Sequence, residues 1–176
     1  MKIVLTGLMG TGKTVVGRRL AERLSFSFLD LDEVIEEAAG MAIPEIFASE
    51  GESGFRRRER EVIGRLAARR DCVIATGGGA VLDPENVRNL RTGGVIVCLR
   101  AEPDTILERI GADAHRPLLQ GPDRLARIRE LLEQRASAYE QADLSVGTSE
   151  SDIEEVVDRI VRHFRPEPVR TTSAGR

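Results

Sequence analysis

Gly7-Leu8-Met9-Gly10-Thr11-Gly12-Lys13-Thr14 is the stretch that decides the fold. It fits G-x-x-x-x-G-K-[ST], follows the apolar run Lys2-Gly7, and opens a stretch with helical periodicity, Lys13-Leu24. Glycines let backbone N–H groups curl around an anion, and the helix N-terminus adds the positive end of its dipole. A lysine at this spacing reaches the β- and γ-phosphates of a nucleotide, and the following hydroxyl ligates Mg²⁺. A glycine-rich turn with a chance Lys-Thr would explain the string, but not its place between a strand and a helix. Gly10, Thr11, Gly12, Lys13, Thr14 and the adjoining Val15 are therefore candidates for holding nucleotide phosphates.

Beyond this loop, short apolar runs alternate with helical patterns. Lys2-Gly7, Phe26-Asp32, Cys72-Gly77, Gly94-Leu99 and Asp143-Val146 read as strands, and several are nearly continuous apolar runs, as in parallel strands covered on both faces. Helices are expected over Lys13-Leu24, Asp32-Ala39, Ser53-Arg70, Asp83-Arg91, Pro103-Ile110, Asp123-Gln141 and Ser151-His163. This alternation implies right-handed crossovers and an open parallel sheet between two helical layers, an α/β/α architecture. Residues 1–164 read as a single domain. Gly111-Pro122 is expected to be a mobile lid, and Arg165-Arg176 a solvated, disordered tail.

Composition excludes several function classes. With 26 basic against 29 acidic residues and a formal charge of -3, the chain lacks the basic footprint of a nucleic-acid binder. Aromatics at 3% leave little for a base-stacking platform. The N-terminal apolar run is too short for a signal peptide or a membrane span. Cys72 and Cys98 both fall in strand-like runs and read as core thiols of a cytoplasmic protein. Nothing suggests a coiled coil, so a monomer without nucleic-acid or membrane partners is expected.

The reaction depends on what faces the loop. GTPases need an Asn-Lys-x-Asp run, which is missing, and an adenylate-kinase-like Asp-Gly-Phe-Pro-Arg run is replaced by Ala75-Thr76-Gly77-Gly78-Gly79. A small-molecule kinase is favoured. Alternation along Phe28-Leu29-Asp30-Leu31-Asp32 would put both carboxylates on one side of a strand end, for hydrated Mg²⁺ and for substrate hydroxyls. Equally, Asp32 could simply cap the next helix. In Asp123-Gln141, the residues Leu125, Ile128, Leu131, Leu132 and Tyr139 form an apolar stripe with Arg135 in its middle. That guanidinium either snorkels or pairs internally, or it grips an acidic substrate. In Ser53-Arg70, Glu59 lies on the apolar side and Arg56 at its edge, three residues apart and able to pair. Arg57, Arg58 and Arg60 read as a solvated face. His115 and His163 are not needed for the chemistry. Arg116, on the lid, could swing onto a transferring phosphoryl group as an arginine finger does.

Taken together, these residues resemble the shikimate kinases, within the nucleoside-monophosphate-kinase-like group of P-loop proteins. The likeness rests on Gly7 to Thr14, Leu29-Asp30-Leu31-Asp32, Gly51-Glu52 followed by Phe55-Arg56-x-x-Glu59, Thr76-Gly77-Gly78-Gly79, Arg116-Pro117-Leu118-Leu119, and Arg135 with Tyr139. It spans about residues 1–164. The resemblance implies a sheet of order 2-3-1-4-5 and transfer of the ATP γ-phosphoryl group to the 3-hydroxyl of shikimate, in chorismate and aromatic amino-acid biosynthesis. It further implies that Asp32, Arg56, Gly77, Gly78, Gly79 and Arg135 hold shikimate, with Asp32 orienting or deprotonating the hydroxyl. Asp30 would act on Mg²⁺ through water, Lys13 and Arg116 on the phosphates, and Arg109 beside the adenine. The loop Gly147-Thr148-Ser149-Glu150-Ser151-Asp152 lacks the basic or amide residue that many relatives carry near the adenine. Rival readings are a gluconate-type sugar-acid kinase, which would share the cradle, and a non-catalytic nucleotide-binding regulator, which should have lost a catalytic side chain.

Overall fold

The computed structural model describes residues 1–111 and 123–164. The expected lid, with His115 and Arg116, lies outside the described residues apart from Gly111, and so does the expected tail. Five parallel strands form the sheet: β1 (Lys2–Thr6), β2 (Ser27–Asp30), β3 (Cys72–Ala75), β4 (Gly94–Arg100) and β5 (Leu144–Gly147), in the order β2-β3-β1-β4-β5. The connecting helices are α1 (Lys13–Leu24), α2 (Leu31–Ala39), α3 (Ile43–Leu66), α4 (Pro84–Arg91), α5 (Pro103–Ile110), α6 (Arg124–Glu140) and α7 (Ile153–Phe164). The order places β1, and the loop that leaves it, at the centre of the sheet.

Side chains alternate across the sheet, and the two faces bury different helices. Ile3, Leu5, Val73, Val97 and Leu99 pack with Val16, Leu20 and Leu24 of α1 and Val156, Val157 and Ile160 of α7. Val4, Ile74, Ile96 and both cysteines face the other way, onto Phe55, Val62 and Ile63 of α3 and Leu90 of α4. Cys72 and Cys98 are free and buried. A smaller cluster, Leu8, Ile106, Ile110, Ile128 and Leu131, seats α5 and α6 against the end of the phosphate loop. Among the described residues, no helix is long and apolar enough to cross a membrane.

Two expectations need correction. The third helix starts at Ile43 rather than Ser53, with Pro44 in its first turn and the Glu45 carboxylate accepting the Ala42 N–H at 2.9 Å. It bends at Gly51, where φ is 68° and ψ -175°, and ends at Leu66. Gly51 and Gly54 hide the continuity in the sequence, because two glycines four positions or fewer apart read as a break. The second strand stops at Asp30, so Asp30 and Asp32 are not alternating strand residues. Asp30 is the N-cap of α2, its carboxylate accepting the Asp32 N–H at 3.2 Å, and Asp32 sits in the first turn. The capping expected of Asp32 is thus performed by Asp30.

Candidate active site

Three glycines make the turn after β1. Gly7 has φ +134°, and a Cβ there would fall 2.3 Å from the Leu99 carbonyl oxygen. Gly10 and Gly12 have φ of +79° and +90°, and Gly12 is the N-cap of α1 without offering any side chain. The first turn of α1 carries no acidic residue, so its free N–H groups and dipole end keep their positive character. Lys13 Nζ donates to the carbonyls of Gly7 (2.9 Å) and Leu8 (3.0 Å), spanning the mouth of the loop. The buried Thr11 hydroxyl closes the loop internally on the Leu8 carbonyl at 2.8 Å. Val15 is exposed at the start of α1.

Thr14 donates its hydroxyl to Asp30 Oδ2 at 3.1 Å. A hydroxyl and a carboxylate side by side at a phosphate cradle are hard oxygen donors, the type that suits Mg²⁺. Among the described residues no group of three or more His, Cys, Asp or Glu could hold a metal.

Next to the loop, the turn after β3 forms a bare floor. A Cβ on Gly77 would lie 3.4 Å from Asp32 Oδ1 and 3.6 Å from Glu59 Oε1. On Gly78 it would lie 3.0 Å from an Arg135 guanidinium nitrogen, 3.1 Å from the Gly7 carbonyl and 3.4 Å from the Tyr139 hydroxyl. On Gly79 it would lie 2.8 Å from Arg56. The triplet therefore brings Asp32, Arg56 and Arg135 around one surface, and its middle residue touches the phosphate loop.

Each charged group is held differently. Arg135 is 7% exposed, so it does not snorkel, and among the described residues it has no carboxylate partner. Beside it, Tyr139 donates its hydroxyl to the Gly78 carbonyl at 2.8 Å, and burial raises the pKa of that phenol while the neighbouring Arg135 opposes the rise. Arg56 is paired: its guanidinium donates to Glu59 Oε2 at 2.8 Å and to Glu52 Oε1 at 3.4 Å. Glu59 is 1% exposed, and its second oxygen has no hydrogen-bond partner. Burial pushes the Glu59 carboxyl above its ordinary pKa, against the pull of Arg56. Asp32 is also raised, by burial first and by repulsion from Asp30 second, with Lys13 opposing. Three neighbouring arginines of α3 pair with carboxylates away from the floor: Arg57 and Arg58 with Glu50, and Arg60 with Asp83.

Arg109, at the end of α5, is tied to Thr148 after β5 and to Gly10 of the loop. Sequence reasoning singled out Arg109 but not Thr148. The only available signal was a small hydroxyl residue directly after a strand, which is too common to select. Among the sequence-derived site residues, Gly10 to Val15, Asp30, Asp32, Arg56, Gly77 to Gly79, Arg109 and Arg135 all converge on the C-terminal edge of the sheet. Arg116 lies outside the described residues.

Comparison with known proteins agrees with this geometry. The shikimate kinase family model matches residues 9–165. A shikimate kinase of Symbiobacterium thermophilum is 51% identical over 168 residues, covering 94% of this chain and 97% of its own. One from Thermodesulfovibrio yellowstonii is 49% identical over 162 residues, covering 92% and 94%. Among solved structures, the shikimate kinase of Acinetobacter baumannii in complex with shikimate superposes with a TM-score of 0.87 at 40% identity, covering 93% of this chain and 92% of that one. With the phosphate loop, the sheet order and the glycine floor all in place, the chain belongs to the shikimate kinase family.

Proposed function

We propose that this chain transfers the γ-phosphoryl group of ATP to the 3-hydroxyl of shikimate, giving 3-phosphoshikimate and ADP. The observation that carries the reading is Arg135: a buried guanidinium without a carboxylate partner among the described residues, beside the glycine floor and opposite Arg56. A buried cation in that state calls for an anion, and a small carboxylated ring supplies one. Asp32, at the Gly77 end, is the acceptor for the ring's hydroxyls.

Catalysis on this reading is positioning and charge stabilisation rather than covalent chemistry. The N–H groups of the loop and the N-terminus of α1 hold the phosphates, with Lys13 neutralising charge that builds on the transferred group. Asp32 aligns the attacking hydroxyl and accepts its proton. Its raised pKa makes it a stronger base than an ordinary aspartate, and below that pKa it is protonated and cannot act. Thr14, directly, and Asp30, through water, would hold Mg²⁺, which supplies electrostatic shielding of the triphosphate when bound. Arg116 is assigned to the phosphates, Arg109 to the adenine side. Residues 1–164 form the kinase unit on this reading, with the lid at about 111–122.

The test is a coupled ADP-release assay run with shikimate, with gluconate and with no acceptor. Release dependent on shikimate is expected. Release driven by gluconate would replace the reading with that of a sugar-acid kinase, and no acceptor-dependent release at all would leave a nucleotide-binding regulator.

A further inference from the structure

Thr148 makes more connections than its size suggests. It is 4% exposed, directly after β5, and it joins three separate elements. Its N–H donates to the Arg100 carbonyl at 2.8 Å, at the exit of β4. Its hydroxyl oxygen accepts from Arg109 Nη1 at 2.9 Å, and its carbonyl accepts from Arg109 Nη2 at 2.5 Å. The hydroxyl proton has two carbonyls within reach, those of Thr11 and Arg100, each at 3.2 Å. A carbonyl oxygen has two lone pairs, so the Arg100 oxygen can take the N–H of Thr148 while the hydroxyl is shared between it and the Thr11 carbonyl of the phosphate loop.

The consequence is a fixed guanidinium. Arg109 belongs to the last turn of an eight-residue helix and is itself exposed. Free, such a side chain samples many rotamers, and ordering it on binding a ligand would weaken that binding. Here two nitrogens are held by one residue, and Nη1 also reaches the Gly10 carbonyl at 3.4 Å. The planar group is thereby set against the rim of the phosphate loop before any nucleotide arrives. A planar cation suits stacking on an aromatic base, and stacking reads no hydrogen-bond code.

We infer that Thr148 is a positioning residue of the nucleotide site: it locks Arg109 and the carbonyl of Thr11 into one unit, so that a purine base meets a preset cationic plane. The inference rests on the proposed nucleotide role of Arg109. It also explains how the loop 147–152 can serve the base without a basic or amide side chain of its own.

The test uses the full chain with three changes, Thr148→Val, Thr148→Ser and Arg109→Ala, and titration with a fluorescent ADP analogue beside steady-state kinetics. Valine keeps the volume and removes the hydroxyl; serine keeps the hydroxyl. Thr148→Val is expected to weaken ADP and ATP about tenfold while KM for shikimate stays at the parent value. Thr148→Ser should restore binding, and Thr148→Val should add nothing further when Arg109 is already alanine. Parent-like ADP affinity in Thr148→Val, or full additivity with Arg109→Ala, would overturn the proposal. Equal weakening of ADP and shikimate would do so as well, because that marks a general packing role. Failure of the parent to bind ADP would instead refute the nucleotide reading on which it stands.

Discussion

Alanine placed in turn at Gly77, Gly78 and Gly79 should produce a graded series, because what each new methyl group meets is different. None of the three has a left-handed φ, and Gly79 sits at φ -102°, ψ -7°, where alanine is at ease, so backbone strain does not confuse the result. At Gly79 the methyl would approach Arg56 Nη2 to 2.8 Å, Nη1 to 3.1 Å and Cζ to 3.2 Å, landing on the guanidinium itself. Ordinary contact begins near 3.4 Å, so the group must retreat by about half an ångström, which disturbs a guanidinium held by a 2.8 Å bond to Glu59. Misplacement of a binding group by ~1 Å lowers turnover efficiency on the order of 10²-fold. Gly79→Ala is thus expected to lower kcat/KM for shikimate by roughly ten- to a hundredfold while ADP affinity and Tm stay near the parent. Gly77→Ala meets only ordinary contacts and should lose less. Gly78→Ala presses on the Gly7 carbonyl as well as on Arg135, and backbone cannot yield as a side chain does, so it should impair both substrates and stability. Steady-state kinetics, ADP titration and thermal melts of the three variants read the series. A Gly79→Ala enzyme with parent KM for shikimate, alongside a Gly77→Ala enzyme that has lost it, would refute the placement of Arg56 at the floor.

Other changes probe other parts. Arg116→Ala is expected to lower kcat on the order of 10³-fold with folding intact, as loss of an arginine finger does, and near-parent turnover would remove that role. Glu59→Gln separates function from stability. The native pKa of Glu59 is raised above the unfolded value, so the folded state holds the extra proton between the two, and stability falls as pH rises through that window. The amide abolishes this fall and should leave Tm at pH 7 no lower than the parent, while KM for shikimate rises several-fold as Arg56 loses its charged anchor. A lower Tm with unchanged KM would contradict this. Lys2→Met acts at the opposite edge of the sheet. The fully buried ammonium donates to the carbonyls of Ala67 (3.0 Å), Asn89 (3.3 Å) and Leu66 (3.5 Å), tying the ends of α3 and α4 to β1. Its loss should destabilise the fold by ~1–3 kcal/mol in denaturant titration with kcat unchanged, and a parent-like midpoint would show that the carbonyls find other partners.

The parts of this structure legible in the sequence are those where one local rule dominates. Glycines at fixed spacing before Lys13 need only backbone freedom to specify the loop, and the stripe of α6 follows from helical period, which correctly placed Arg135 inward with Leu131 and Tyr139. Strand alternation failed at Asp30 because a carboxylate can end a strand and cap a helix in the same position, and the capping hydrogen bond to Asp32 prevailed. The start of α3 was hidden because Gly51 adopts a left-handed φ within a stretch that stays hydrogen-bonded on both sides. Thr148 was illegible for a different reason: its meaning lies in contacts with Thr11, Arg100 and Arg109, residues distant in the chain that only the sheet order brings together.

The most direct measurement is a crystal structure of this chain with shikimate bound. The carboxylate is expected within hydrogen-bond distance of the guanidinium groups of Arg56 and Arg135, with a ring hydroxyl on Asp32. A ring seated away from both arginines would contradict it.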